Sequence, residues 1–296
     1  MADPELLERF NLCLRYKRAR PWQKPLLNPL RFVRNQLRVR GLPGIKAGEL
    51  GEVAAFHLPR FTVVNGESVS ECIAAYGIYE ETLTEAFLRV IQPAQLVVDV
   101  GMHLGYYATL FARLVGPRGA VHAFEPTPST REIAANNLRP FYKVTVHPLA
   151  VWSSAQKLTF HDYGPQWMAF NSFTAARVKS GPLRSKEFVA ETISLDSFRS
   201  QLNREIALVK IDAESAEEEI LKGAQGLLRS DQPLVSLEVG DEVSEGASCR
   251  LIEFMREAHY TVWEFSDGKF ERHQAKKHYE YDNLIFAPDT RNLGDM

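Results

Sequence analysis

From about residue 96 the chain alternates short apolar runs, turns and helical stretches. The runs fall at 96–100, 120–124, 144–146, 207–211 and 234–239, with further strands expected at 261–265 and 283–286. The helical stretches fall at 106–115, 130–138, 216–228 and 251–258. A strand that is apolar throughout is buried on both faces. Strands of that kind alternating with helices predict an α/β fold, a mostly parallel sheet with helices on both sides. Upstream, Leu83, Ala86, Phe87 and Val90 place another helix at 82–91, ended by Pro93. The composition, 45% apolar and 24% charged, excludes a disordered chain. Cys13, Cys72 and Cys249 are too scattered for a disulfide framework or a zinc site. No apolar run reaches the roughly 18 residues of a spanning helix. The acidic, mixed start does not read as a secretory signal. A cytoplasmic protein with reduced thiols is the expectation.

Two regions break the pattern. Residues 1–50 carry 11 Lys/Arg against 4 Asp/Glu, which marks a basic N-terminal arm ahead of a mildly acidic domain at 51–296. Within it Leu30, Val33 and Leu37 fall at helical spacing among Arg31, Arg34 and Arg38. Two readings stand: a helical arm packed on the body, or a segment that touches an anionic membrane or a partner protein. Charge alone is no signal for nucleic acid, and none is expected as a partner. The second break is an insertion at about 151–206, with strand-like runs at 156–161 and 188–193 around a Gly, Pro, Ser and Lys-rich loop. It is too long for a simple connection and is expected to shape a substrate pocket.

The chemistry-bearing residues collect where strands end. Asp99-Val-Gly101-Met-His103-Leu-Gly105 lies between the first buried strand and its helix. Its glycines permit a sharp turn and close approach of a ligand. The spacing lacks the G-x-G-x-x-G of a dinucleotide site, which disfavours a nicotinamide dehydrogenase. It suits a nucleoside cofactor without a pyrophosphate. Glu125 follows the second strand, where a carboxylate can accept both ribose hydroxyls. Asp212 and Glu214 follow the strand at 207–211 and should stand on the same rim. The plainer reading of that segment is a helix start, with Ser215-x-x-Glu218 as a capping box. Glu217 is the one acid of that start expected to face inward. Glu238 sits inside an apolar strand, where an acid is either paired or functional. Asp212 and Glu238 together are a candidate Mg²⁺ pair, since hard cations take carboxylate oxygens.

These blocks resemble the FkbM family of S-adenosylmethionine-dependent methyltransferases. The matching pieces are Val98-Asp99-Val100-Gly101 through Gly105-Tyr106-Tyr107, Ala123-Phe124-Glu125-Pro126, Asn137-Leu138, Leu149-Ala150, Leu195-Asp196, Lys210-Ile211-Asp212-Ala213-Glu214, Leu221-Lys222-Gly223-Ala224 and Asn283-Leu284-Ile285-Phe286. They keep the family order and cover about residues 78–288. The resemblance implies a class I, Rossmann-like methyltransferase fold. It also implies transfer of a methyl group from S-adenosylmethionine, usually to an oxygen of a sugar or natural product. By position Asp99, Gly101, His103, Gly105, Tyr106, Glu125, Pro126 and Ala150 would hold the cofactor. Asp212 would be the base, with Glu214 or Glu238 positioning it or a glycan or small-molecule acceptor. Two positions depart from the pattern: His103 stands where the family usually has Asn, and Ser215 where it usually has Gly. They sustain one rival, a methyltransferase-like binding module that docks through the basic arm without catalysis.

Overall fold

A computed structural model describes residues 3–39, 46–173, 184–213, 215–241 and 245–295. The chain enters as helix Pro4–Arg18, started by Asp3, whose side chain accepts from the N–H groups of Glu5 and Leu6. Leu6 and Phe10 on this helix are buried in the core. After Pro21 a short helix, Lys24–Leu27, leads into helix Pro29–Val39. Strands β1 (Leu50–Val53) and β2 (Phe61–Val64) form an antiparallel hairpin. Helices Ser68–Tyr76 and Glu81–Val90 complete this N-terminal layer.

The central sheet is built from β3 (Leu96–Val100), β4 (Ala120–Phe124) and β5 (Val144–His147) on one side. The insertion folds as its own three-stranded sheet of β6 (Ala150–Val151), β7 (Lys157–Asp162) and β8 (Lys186–Ile193). The central sheet then resumes with β9 (Leu208–Ile211), β10 (Leu234–Val239), β11 (Tyr260–Ser266), β12 (Lys269–Arg272) and β13 (Asp282–Pro288). Its order is β12-β11-β13-β10-β9-β3-β4-β5. Strands β5, β4, β3, β9 and β10 run parallel, and β13 runs back antiparallel between β10 and β11.

Successive residues of β3 serve opposite faces. Val97 enters one buried cluster with Phe87, Leu110 and Phe111, whereas Leu96, Val98 and Val100 enter the other with Ile220, Leu221 and Ile252. The parallel order reverses at β3, where the chain first steps to β4 and later returns to place β9 on the other side. Open sheets of this kind bind ligands at such a switch point, beyond the carboxyl ends of the strands.

Helix boundaries depart from the periodicity in one informative place. The single helix expected at 216–228 is two, Glu217–Lys222 and Gln225–Ser230. A Cβ on Gly223, which ends the first of them, would lie 2.5 Å from the Trp152 carbonyl, so the bare glycine lets the chain just after β6 pass close by. The helix expected at 251–258 starts earlier, at Ala247.

Candidate functional site

A cleft opens beyond the ends of β3, β4 and β9, and it gathers the three separated stretches singled out in the sequence. Gly101 leaves β3 with φ +76°, and a Cβ there would stand 1.7 Å from the backbone oxygen of Asp212. Only glycine lets the turn after β3 touch the turn after β9. The same turn is tied to β4, because the N–H groups of Gly101 and Met102 both donate to the Phe124 carbonyl, at 3.1 and 3.0 Å. Gly105, at φ +84°, starts helix Tyr106–Val115.

Glu125 is buried at the end of β4. Its carboxylate accepts from the backbone N–H of Thr127 (2.9 Å) and of His103 (3.1 Å). Burial nevertheless pushes the group up to about 6, against the pull of those bonds. His103 has φ +53°, and its Nε2 is buried without a hydrogen-bond partner. Pro126, Tyr106, Leu149 and Ala150 also line the cleft.

On the other side, Asp212, Glu238 and Lys210 line the cleft with Tyr79 and Tyr107. Lys210 is buried in β9, and its ammonium lies 3.0 Å from Asp212 Oδ2 and 3.6 Å from Asp99 Oδ1. Burial works against that charge, but Asp212, Asp99 and Glu80 overcome it and the pKa of Lys210 rises. Asp99 is fully buried beneath the cleft lining, with neither oxygen hydrogen-bonded. Burial raises it to about 6, with Lys210 pulling the other way. Glu80, at φ +41°, accepts from Tyr107 OH (2.8 Å) and Asn283 Nδ2 (2.8 Å).

The structure therefore brings Gly101, His103, Tyr106, Glu125, Pro126, Ala150, Asp212 and Glu238 to one lip. Asp99 and Gly105 support the cleft from behind rather than lining it. Glu214 lies outside the described residues. The capping box does not form: Ala216 is the cap of helix Glu217–Lys222, with no side-chain bond. Glu217 instead faces inward, accepts from the Ala213 N–H at 3.1 Å, and is raised by burial to about 7. The magnesium expectation gains no support. Among the described residues no three His, Cys, Asp or Glu side chains group as metal ligands, and Asp212 already faces a fixed ammonium.

Several residues of the cleft were not foreseen. Phe160, Met168, Asn171 and Phe173 come from the insertion, and Tyr79 precedes the first motif. Lys210 carried a usable signal, since a lysine inside an apolar strand is rarely buried unless paired.

A sheet reversed at β3, a glycine turn over that point, and an acid at the end of the neighbouring strand make a Rossmann-like α/β protein with a nucleoside-type site. Residues 99–272, more than half of the 296, match the Methyltransferase FkbM domain. The chain belongs to the FkbM methyltransferase family. It is 27% identical over 238 residues to the 31-O-demethyl-FK506 methyltransferase FkbM of Streptomyces tacrolimicus, covering 70% of this chain and 90% of that one. Among solved structures it is similar to a methyltransferase FkbM from Methylobacillus flagellatus KT, with 15% identity and a TM-score of 0.42. That match covers 74% of this chain and spans about half, 54%, of the other. It is also similar to an S-adenosylmethionine-dependent O-methyltransferase from Thermotoga maritima, with 11% identity, a TM-score of 0.41 and 83% and 79% coverage.

The residues present fit the cofactor. Glu125 offers a buried carboxylate held by two N–H groups, and no side chain on Gly101 narrows the turn above it. The unpartnered Nε2 of His103 is a polar atom at the same wall.

Proposed function

We propose that the protein methylates a hydroxyl oxygen of a sugar, in a glycan or a glycosylated natural product. The observation that carries this reading is that the Asp212 backbone packs against the Gly101 turn, so that Asp212 lines the same cleft as Glu125. When bound, S-adenosylmethionine supplies a methyl group made electrophilic by its sulfonium. Glu125 accepts the ribose hydroxyls, and the turn from Gly101 to Gly105 lets the backbone approach the nucleoside. His103, Tyr106, Pro126 and Ala150 wall that half of the cleft. A sugar hydroxyl is a weak nucleophile, so a base within reach of its proton assists as the new bond forms. Asp212 takes that role, and its hydrogen bond from Lys210 fixes the orientation of the carboxylate. Glu238, on the adjacent strand β10, positions the acceptor. Aromatic rings at Tyr79, Phe160 and Phe173 suit the apolar face of a sugar or macrocycle and exclude water. An FkbM relative named for 31-O-demethyl-FK506 supports oxygen as the atom methylated.

The test combines calorimetry with S-adenosylmethionine and mass spectrometry of products from polyhydroxylated acceptors. Comparing cell-envelope glycans with and without the protein then identifies the acceptor. Asp212→Asn should lower turnover by roughly a hundredfold or more, while cofactor affinity falls by far less, since Glu125 and Glu238 keep the cleft acidic. Unchanged turnover removes Asp212 from the mechanism, and a product methylated only on nitrogen or carbon overturns the assignment.

A further inference from the structure

The segment that the methyl-transfer site leaves unused is the basic N-terminal one. We propose that residues 15–37 form a docking face for an anionic phospholipid bilayer. Helix Pro29–Val39 sits on the body the opposite way to an ordinary surface helix. Its polar side is the anchored one. Arg31 donates to the carbonyls of Ala54 (2.7 Å) and Ile73 (3.3 Å), Asn35 donates to the Ala75 carbonyl (2.9 Å), and Arg38 pairs with Glu71 (2.6 Å). The apolar side is left in water. Leu26 and Leu30 are each 79% exposed, Trp22 64% and Val33 52%. Leu30, Val33 and Leu37 follow steps of three and four, so they share one face of this helix, and Leu26 and Trp22 are exposed just before it.

Charge selects the occupant. No Asp or Glu occurs from residue 9 to residue 48, and Arg15, Arg18, Arg20 and Arg34 of this segment are exposed. A second copy of this chain would bring like charges together. A nucleic acid would satisfy the arginines and leave the leucines in water. An anionic lipid surface satisfies both, with arginines at the headgroups, leucines below them and Trp22 at the boundary. No helix among the described residues is long and apolar enough to cross a membrane, so the contact is peripheral.

The full chain is to be floated with vesicles of phosphatidylcholine alone, or of phosphatidylcholine mixed with phosphatidylglycerol. The expected result is binding to the mixed vesicles at least about tenfold tighter than to the neutral ones, weakening as salt is raised. The double substitution Leu26→Ser, Leu30→Ser should weaken it by roughly tenfold or more. Both side chains are exposed, and unchanged affinity for S-adenosylmethionine reports that the variant is folded. No binding to the mixed vesicles, equal binding to both kinds, or a double variant that binds like the wild type overturns the proposal. So does a dimer in sedimentation that the double substitution turns to monomer, because the face then belongs to a second copy.

Discussion

Gly101→Ala is the substitution that tests whether the cleft is assembled by backbone contact. Two costs add. Alanine at φ +76° is in the left-handed region, worth about 1–2 kcal/mol. Its Cβ would also stand 1.7 Å from the Asp212 carbonyl oxygen, which has to retreat by more than about 1 Å to reach an ordinary contact distance. That movement strains the Asp212 N–H bond to the Val100 carbonyl (3.2 Å) and the 3.0 Å pair with Lys210, each worth about 1–3 kcal/mol when buried. The sum is on the order of 3–8 kcal/mol, a large part of a typical folding free energy. Urea denaturation reads it as a lowered midpoint with an unchanged slope. Turnover should fall further than cofactor affinity, because the displaced group is the proposed base. Gly164→Ala is the control: it has φ +81° with nothing within 4 Å of the added Cβ, so it bears only the conformational cost and keeps full activity. Equal costs for the two substitutions, with turnover intact in both, would refute the contact argument.

Three further outcomes follow from the same geometry. Glu125 has a folded-state value of about 6 against an ordinary 4.5, so its burial favours the protonated form. Its contribution to the stability of the unliganded protein is therefore fully present below about 4.5 and is lost, by on the order of 2 kcal/mol, as pH rises through 6. Cofactor affinity should rise over the same range as the acceptor carboxylate forms; Glu125→Gln flattens both profiles, and parallel wild-type and variant curves count against the assignment. Ser215→Gly should raise the melting temperature by the equivalent of about 0.5–1 kcal/mol, since Ser215 holds φ +76°; a lower melting temperature contradicts the strain argument. Lys210→Met should cost roughly 3 kcal/mol near neutral pH by leaving Asp99 buried without its cation, and adding Asp99→Asn should recover much of that in denaturant titrations.

The five parallel strands could be read from the chain because each is apolar, short and bounded by a turn. The reversal of β13 between β10 and β11 could not, because spatial order leaves no trace in local periodicity. The same limit explains the cleft. Asp99, Gly101, Glu125 and Asp212 could be found because strand ends in this fold are where ligands sit, so position along the chain predicts position in space. Tyr79 and Glu80 precede the first motif and reach the site only through packing of the N-terminal layer. Phe160 and Phe173 lie in an insertion whose placement is set by tertiary contacts, including the close pass at Gly223. The two departures from the family pattern do have a local physical meaning. His103 and Ser215 both occupy positive-φ positions, at +53° and +76°, where Asn and Gly are the least strained residues. Those departures alter backbone strain beside the cleft and leave every carboxylate named above in place.

Charge also separates the rival cofactors more sharply than glycine spacing does. The described residues lining the cleft carry three carboxylates, Glu125, Asp212 and Glu238, against the single ammonium of Lys210. Asp212 and Asp99 both lie within 3.6 Å of that ammonium, so the lining keeps more negative charge than positive. A pyrophosphate needs donors and positive potential at the turn, and here it would face acids on both sides. A sulfonium is itself a cation, and a net-negative cleft favours it. The neutral sulfide left after methyl transfer loses that attraction, which eases its departure. The same electrostatics therefore selects the cofactor and releases the product. Titrating salt against the affinities of S-adenosylmethionine and its demethylated product measures the effect: affinity for the cation should fall with ionic strength while that for the neutral product stays nearly flat.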